Sequence, residues 1–495
     1  MTRLKGLVYP SVLFAIAGGC EATAGPAGAP QNVAGASAGS AGSPSNTPII
    51  DVDASVPEAG PIGCDGLACQ QAGCSSGPCT QAPCAAGTST TVTGTVYDPA
   101  GKLPLYNVMV YVPNGPLSPL ESGPACASCE LSTERPVSTA LTDTEGRFVL
   151  GDVPVGTEIP IVFQVGKWRR QIAVPVAACV DNPLTDPNLT RLPRNQSEGE
   201  IPLIAIATGA GDSMECLPRR LGLDDAEFTT GAGSGRIHLF EGGSYSAAGS
   251  TKATKAFAPE LNDGAELSPA TELWASVEAL SEYDMVLLSC EGEANDDEKS
   301  QAARQAMYQY ASSGGRVLAS HLHHFWFSAG PDVVPQVATW ADRAPPEMDP
   351  SIATINTSFP KGNALAQWLL NVGASTTRGE LELHSARDNV QAVNPSYATE
   401  WMSIQNMRFP DAPKAVQYLS FNAPLGVAPE QQCGRAIYTD LHVSATGNDG
   451  PGKRFPDGCE ERELSPQEKA VAFMLFDLSA CLIPDDQPPE PPPVR

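Results

Sequence analysis

The chain has 495 residues, with 56 acidic and 30 basic side chains, and its formal net charge at pH 7 is -26. A surface this acidic repels the phosphates of nucleic acids, which argues against a nucleic-acid partner. The length predicts two folded domains joined by linkers rather than one small core.

Residues 1–19 have the layout of a secretory signal peptide, with a short basic start and an apolar run from Leu7 to Ala17. The segment AGGC at residues 17–20 resembles the lipobox of bacterial lipoproteins. That resemblance implies cleavage before Cys20 and lipidation of this cysteine. The alternative is a plain signal peptide with an incidental cysteine. We expect a cell-envelope protein anchored in a membrane through Cys20, and the outer membrane is favoured because Glu21 follows rather than an aspartate.

Two further segments have compositions that cannot build a packed core. Residues 20–63 consist mostly of Ala, Gly, Ser and Pro, which predicts a flexible tether between the anchor and the first domain. Residues 483–495 form a Pro-rich tail that is predicted to be extended and disordered.

Residues 64–87 contain five cysteines at intervals of five residues, from Cys64 to Cys84. In an exported chain this pattern favours a disulfide-stapled stalk over a metal site, because the CxxC pairs typical of zinc sites are absent. Five cysteines cannot all pair with one another, so one of them is expected to reach Cys126, Cys129 or Cys179. The chain has 14 cysteines, and removing Cys20 leaves 13, an odd number that predicts a free thiol or an intermolecular disulfide.

Short β-type runs separated by turn residues fill residues 88–198 and predict a small antiparallel β-sandwich, in which Phe148 and Leu150 alternate inward. The strings V-x-G-x-V-x-D and T-D-x-x-G-x-F-x-L-x-x-V-P-x-G resemble the carboxypeptidase regulatory-like, transthyretin-type sandwich. That resemblance implies a stalk or accessory module and does not imply peptidase activity. Cys126 and Cys129 are interpreted as partners in one disulfide.

Apolar strands alternate with helices from residue 199 to residue 482, which predicts an α/β domain with a doubly wound parallel sheet. The predicted strands are IPLIAIATG, RIHLF, DMVLLSC, GGRVLASH, AVQYLSF and GRAIYTDLHV. The predicted helices are DSMECLPRRLGL, TELWASVEALSEY, the segment from Gln301 to Ala311, and SPQEKAVAFMLFDLSACL. Ser465 and Glu468 predict a capping box at the start of the last helix.

Polar side chains follow three of these strands. Ligands of doubly wound sheets bind beyond the carboxyl ends of the strands, so we predict a binding site at this edge. The predicted binding residues are Ser289, Glu291, Ser320, His323, His324, Trp326, Asp440 and His442.

The segments YDMVLLSCEG, YASSGGRVLASHLHH and GRAIYTDLHVSA resemble the ThuA-like branch of the class I glutamine-amidotransferase-like fold. True amidotransferases place a nucleophilic cysteine at the elbow that follows a buried strand. In this sequence the elbow holds His321, as it does in ThuA-like members. The resemblance implies the fold and makes His321 the one catalytic candidate that can be carried over.

Cys290 is a second candidate nucleophile, because it lies between a strand and a helix whose N-terminus can lower a thiol pKa. Four acidic residues follow it closely and disfavour a thiolate. We therefore interpret Cys290 as a disulfide-bonded or buried structural cysteine rather than a nucleophile.

The histidines also allow a divalent metal site. Residues two apart share one face of a strand, so His321 and His323 are predicted ligands, completed by His442 or Asp440. The alternatives are a small-molecule site without a metal, or a polar-aromatic rim in which hydrogen bonds satisfy the histidines.

The leading functional expectation is a surface protein whose α/β domain binds a small molecule or glycan, without catalysis by a nucleophilic cysteine. The second is a hydrolase or isomerase that acts on a sugar-like substrate through His321, with a metal as an optional cofactor. The third is a purely structural cell-surface protein. Enzymatic activity is left open by the sequence.

Overall fold

The computed structural model describes residues 82–126, 135–243 and 252–494. The predicted signal peptide, the lipidation site at Cys20, the tether and most of the cysteine-rich stalk lie outside these ranges. Within them, no helix is both long enough and apolar enough to cross a bilayer.

Seven strands between residues 91 and 184 form two small sheets, in the orders β4-β1-β7 and β3-β2-β5-β6. The strands are β1 Thr91–Thr95, β2 Met109–Val112, β3 Ser138–Leu141, β4 Arg147–Leu150, β5 Gly156–Val165, β6 Trp168–Val176 and β7 Asp181–Leu184. All pairs are antiparallel except β1 with β7, which is parallel. Phe148 and Leu150 point inward, as predicted, and the Phe148 ring meets Phe163 of the other sheet at 6.0 Å.

A ten-stranded mixed sheet dominates the rest of the chain, in the order β15-β14-β17-β18-β19-β12-β11-β8-β10-β9. Strands β13 and β16 form a separate antiparallel pair. The strands are β8 Ile204–Ala207, β9 Phe228–Thr229, β10 Ile237–Phe240, β11 Met285–Leu288, β12 Arg316–Ser320, β13 Ala338–Arg343, β14 Ser351–Ile355, β15 Glu380–Leu383, β16 Asp388–Val393, β17 Thr399–Gln405, β18 Lys414–Ala423 and β19 Gly434–Thr439.

The α-helices in the described residues are mostly short. They are α1 Pro187–Thr190, α2 Cys216–Arg220, α3 Ala270–Leu273, α4 Val277–Leu280, α5 Gln301–Ser312, α6 Phe325–Ser328, α7 Pro360–Asn371 and α8 Pro466–Ser479. The predicted capping box at the start of α8 is confirmed. The single helix predicted for TELWASVEALSEY is wrong, because Ser276 caps a new helix by accepting a hydrogen bond from Ala279 N–H.

Six of the ten strands of the large sheet run parallel to one another. Strands β19, β12, β11, β8, β10 and β9 run parallel, as predicted. Strand β18 instead pairs antiparallel with β19, and β17, β14 and β15 continue the antiparallel half. Ten residues separate β18 from β19. That connection is shorter than the dozen or more residues that a parallel crossover needs.

Disulfides join distant parts of the chain, among them Cys84–Cys179, Cys126–Cys433 and Cys216–Cys459. Cys84 of the stalk pairs with Cys179, which is one of the three partners that were expected. The predicted Cys126–Cys129 disulfide is wrong, because Cys126 lies beside Cys433, with 4.3 Å between the Cα atoms. This bond joins the two-sheet region to the start of β19. Cys290 is buried, as expected, but makes no disulfide.

The two-sheet region packs against the N-terminal ends of the parallel strands. Lys167 Nζ lies 2.5 Å from Asp284, the residue before β11. The Trp168 ring contacts Phe476 of α8 at 5.9 Å. At Gly166 a Cβ atom would lie 1.9 Å from the carbonyl oxygen of Ser479, so only glycine allows this close approach.

The predicted disorder of residues 483–495 is wrong for the start of this segment. Asp485 accepts a hydrogen bond of 2.9 Å from Arg435 Nη2, and its Oδ2 accepts one of 3.3 Å from Ser420 Oγ. Composition alone predicts a disordered tail. The local sequence does not reveal that the buried Arg435 on β19 binds Asp485 at the start of this tail.

An ion pair stabilises the segment that joins the two-sheet region to the ten-stranded sheet. Arg191 donates hydrogen bonds of 2.6 and 2.7 Å to the two carboxylate oxygens of Glu198. These bonds, together with one from Arg194 N–H, lower the pKa of Glu198 to about 2 despite partial burial. Ionised Glu198 therefore stabilises the fold above the unfolded-state pKa, and this contribution disappears as the pH falls from about 4.5 towards 2.

Glutamine in place of Glu198 is expected to lower the free energy of unfolding at pH 7 by about 1–2 kcal/mol, a modest value because the pair is partly exposed. The substituted protein should also lose less stability than the wild type between pH 6 and pH 3. Urea unfolding at both pH values measures this difference, with Glu158→Gln at an exposed position as the control. Equal pH dependence in wild type and Glu198→Gln would contradict the prediction.

Candidate metal centre

Three predicted site residues meet at the C-terminal edge of the parallel strands. Cys290 is the second residue after β11, His321 directly follows β12, and His442 is the third residue after β19. These strands are parallel neighbours, so their C-terminal ends lie side by side. One donor atom from each of Cys290, His321 and His442 lies within 4.8 Å of the other two.

The backbone at His321 makes a sharp turn. Its φ of 46° lies in the left-handed region, which a residue with a side chain seldom adopts and which costs free energy. The turn directs the imidazole towards Cys290, with 3.1 Å between His321 Nδ1 and Cys290 Sγ. The His442 ring packs edge-on against His321, with 5.0 Å between the ring centroids.

The loop after β8 supports two of the three residues. At Gly211 a Cβ atom would lie 2.9 Å from Cys290 Sγ, so a larger residue would push the thiol out of place. The next residue, Asp212, accepts hydrogen bonds from the backbone N–H groups of Val443 and Ser444, at 3.1 and 2.9 Å. This loop therefore positions both the thiol and the chain beside His442.

Burial keeps the thiol protonated and the imidazoles neutral. It raises the pKa of Cys290 to about 12, although N–H groups of Gly292 and Leu322 act in the opposite direction. It lowers the pKa of His321 well below its usual value, and repulsion from His442 lowers it further. The pKa of His442 falls to about 3 for the same reason, with Arg387 adding to the effect. At neutral pH the thiol can donate a hydrogen bond to His321, and a thiolate–imidazolium pair is disfavoured.

The acidic residues after Cys290 affect the thiol less than the sequence suggests. Glu291 turns towards Lys299, whose Nζ donates a hydrogen bond of 2.7 Å to it. Burial raises the pKa of Glu291, but His323 and Lys299 lower it more, so this carboxylate stays charged and paired. Burial is thus the main cause of the high thiol pKa, with a smaller contribution from Asp212.

The donor set fits a transition metal ion. Among the described residues, His442 Nδ1 is buried without a hydrogen-bond partner, so this nitrogen is available to bind an ion. One thiol and two neutral imidazoles suit Zn²⁺, whose bonds are about 2.3 Å to sulfur and about 2.0–2.1 Å to nitrogen. Three protein ligands leave a fourth position of a tetrahedral ion open.

His323 does not join this cluster, in contrast to the predicted metal set. Its Nε2 lies 2.8 Å from the carbonyl oxygen of Ser289, and its Nδ1 accepts a hydrogen bond of 3.0 Å from Trp326 Nε1. Both ring nitrogens are therefore occupied, and burial lowers the pKa of His323 to about 4. The chain enters a 3₁₀ turn directly after β12, so residues two apart no longer share a face. Cys290 takes the place predicted for His323.

Two other predicted binding residues are occupied by packing. The indole of Trp326 is buried against Trp274, at 5.2 Å between ring centroids, and cannot stack on a sugar in this position. The half-buried ring of His324 stacks on Trp340 at 5.9 Å.

The remaining predicted residues lie buried at the strand ends. Neither Ser289 Oγ nor Ser320 Oγ has a hydrogen-bond partner among the described residues. Asp440 accepts a hydrogen bond of 2.7 Å from Tyr438 OH, and burial raises the pKa of this carboxyl to about 7. Two buried hydroxyls without partners next to the cluster are consistent with a polar ligand or ordered water there.

Sequence reasoning missed the contribution of the β8 loop. Gly211 and Asp212 lie in the loop after β8, as the predicted site residues lie after β11, β12 and β19. Their place beyond the end of a parallel strand is the signal that would have identified them.

No protein-family profile matches the chain, and no curated protein matches it in sequence. A solved structure of a ThuA-like protein from Bacteroides uniformis aligns with 43% of this chain and 76% of its own length, at 14% identity and a TM-score of 0.26. Two structures of a type II cohesin–X-dockerin complex from Acetivibrio cellulolyticus align with 28% and 27% of this chain and 75% and 85% of their own, at 17% and 16% identity and TM-scores of 0.14 and 0.16. These TM-scores are too low to establish a common fold.

Proposed function

We propose that this chain is a lipid-anchored protein of the cell envelope whose α/β domain binds a divalent metal ion and presents it to a small molecule or glycan. The observation that carries the proposal is the convergence of Cys290, His321 and His442, with donor atoms within 4.8 Å of one another. Membrane attachment through Cys20, with the outer membrane favoured, rests on the sequence of the first 21 residues.

The domain assignments belong to the same proposal. Two small sheets around a shared core support a carboxypeptidase regulatory-like sandwich as the accessory module. Six parallel strands that end in a polar edge support a ThuA-like α/β domain as the ligand-binding module.

Metal binding agrees better with the electrostatics than thiol catalysis does. A thiol with a pKa of about 12 supplies very little thiolate at neutral pH, and the thiolate is the nucleophilic form. A bound cation changes this balance, because its charge favours loss of the thiol proton. The imidazoles are already neutral, so they need lose no proton before they bind the ion.

A ligand for the ion has a route from solvent. The His321 side chain is half-buried, whereas Cys290 and His442 are buried, so the cluster reaches the surface at His321. The hydroxyls of Ser289 and Ser320, which have no partners in the described residues, add polar groups at this edge.

A second candidate function is metal-assisted hydrolysis of a sugar-like substrate. Three protein ligands and an open position are the arrangement of catalytic zinc sites, whereas structural zinc sites are closed by four ligands. An ion held in this way lowers the pKa of a bound water and supplies a nucleophile near neutral pH.

The test is the metal content of the full chain, exported to an oxidising compartment and purified without a polyhistidine tag or chelator. We expect about one zinc ion per folded chain, measured by inductively coupled plasma mass spectrometry. A folded protein that binds no zinc, copper, iron or manganese even after incubation with these ions would refute the metal site. Hydrolysis of aryl glycosides or aryl esters that stops with a chelator and returns with zinc would favour the enzyme over the binding protein.

A further inference from the structure

A large cavity lies between the two-sheet region and the N-terminal ends of the parallel strands, far from the candidate metal centre. Its volume is about 890 Å³, and its wall is mostly apolar. Side chains from both regions contribute to it, including Met109 and Leu141 from the small sheets and Met285 from β11. Residues 487–490 of the Pro-rich tail line another side.

Arg316 lines this cavity without a counter-ion. It is the first residue of β12, only 7% of it is exposed, and its Nη1 has no hydrogen-bond partner among the described residues. Arg435 occupies the equivalent position on the neighbouring strand β19. In contrast to Arg316, it is ion-paired with Asp477 at 3.3 Å and Asp485 at 2.9 Å.

An unpaired guanidinium is costly in this position. Burial lowers the pKa of Arg316 to about 10, and the positive charge of Arg435 contributes, although Asp477 acts in the opposite direction. A buried charge without an ion-pair partner is destabilising, and an anion in the cavity would offset this cost.

The other charged groups of the cavity wall are paired or exposed. Lys167 is paired with Asp284 at 2.5 Å, and Arg169 donates hydrogen bonds to Glu200, one of them 3.1 Å long. Glu121 and Glu490 are exposed. Within the described part of the chain, Arg316 is thus the cation of this wall that lacks an anionic partner.

We propose that this cavity binds a small organic acid, whose carboxylate pairs with Arg316 and whose apolar body fills the space between the two regions. A guanidinium matches a carboxylate with two parallel hydrogen bonds. The cavity volume lies in the range of small-molecule sites, and an apolar wall with few polar groups is typical of them. A monoanion fits better than a phosphate dianion, because one unpaired cation is available and Asp284 would repel a second negative charge.

The experiment uses cis-parinaric acid, a fluorescent apolar carboxylic acid, and its uncharged methyl ester as probes with the full chain. The wild type is expected to bind the acid at least about tenfold more tightly than the ester, which is the contribution of one charge-assisted hydrogen-bonded pair. Arg316→Met should remove this preference, and Arg316→Lys should keep part of it. Equal affinity for acid and ester in the wild type would overturn the proposal, as would an Arg316→Met protein that retains the preference.

A second variant keeps the test decisive if Arg316→Met does not fold. Met109→Trp adds bulk to the wall and leaves the arginine in place, so it should weaken binding of both acid and ester. If Met109→Trp leaves the affinity for both probes unchanged, the probes bind elsewhere. That result would also overturn the proposal. None of these substitutions changes a proposed metal ligand. Circular dichroism serves as the control for folding, so the outcome does not depend on metal binding.

Discussion

Serine in place of Cys290 is expected to weaken zinc binding by more than about a hundredfold, because loss of a supporting residue alone costs 10–100-fold and serine removes a ligand. The fold should persist, since Cys290 makes no disulfide and serine is close to it in size. Competition with a chromophoric chelator measures the affinity, and circular dichroism confirms that the variant is folded. A Cys290→Ser protein that binds zinc as tightly as the wild type would exclude the thiol as a ligand.

Histidine variants provide the matched controls for this experiment. His321→Ala and His442→Ala are expected to lose zinc as Cys290→Ser does. His384→Ala should bind zinc normally, because this side chain is 38% exposed and lies outside the three-residue cluster. Loss of zinc in all four variants would indicate a general effect of substitution rather than a site at the strand ends.

Asparagine in place of Asp485 is expected to lower the free energy of unfolding by about 3 kcal/mol, the lower end of the cost of breaking a buried ion pair. The Arg435 side chain is 2% exposed and would retain Asp477 as its ion-pair partner, which it shares with Lys361 at 2.7 Å. Burial alone would raise the pKa of Asp485, but Arg435 and Lys361 lower it more. The contribution of Asp485 should therefore be present at pH 7 and disappear under acid conditions.

Guanidinium chloride unfolding at pH 7 measures this change, and the adjacent Asp486 supplies the control. Asp486 is exposed, so Asp486→Asn should leave the unfolding midpoint within experimental error. If the two variants are equally stable, the start of the tail contributes nothing to the stability of the sheet.

The buried strands could be predicted because their pattern is local. Runs such as those of β8, β11 and β12 are short, apolar and bounded by glycine or polar residues, and the structure places all three at the centre of the large sheet. The antiparallel half could not be assigned, because partners such as β14 and β17 are separated by about 45 residues and nothing local specifies their pairing.

The edge of the candidate site and two of its three residues, His321 and His442, could be predicted, but the third residue could not. Three strand ends with polar residues were visible in the sequence, and a rule about parallel sheets placed them together. The choice between Cys290 and His323 depends on the backbone turn at His321, whose φ of 46° is unusual for histidine. Composition and spacing do not reveal such a turn, because the packing around it holds the strained conformation.

Strand β12 has Arg316 as its first residue, and His321 directly follows its last. Its five residues span about 17 Å at about 3.3 Å per residue. Insertion or deletion of one residue in β12 would move every later side chain of the strand to the opposite face of the sheet. Such a change would misplace the arginine or the histidine relative to its neighbours, whichever end shifted. The length of this strand is therefore constrained by both proposed sites at once.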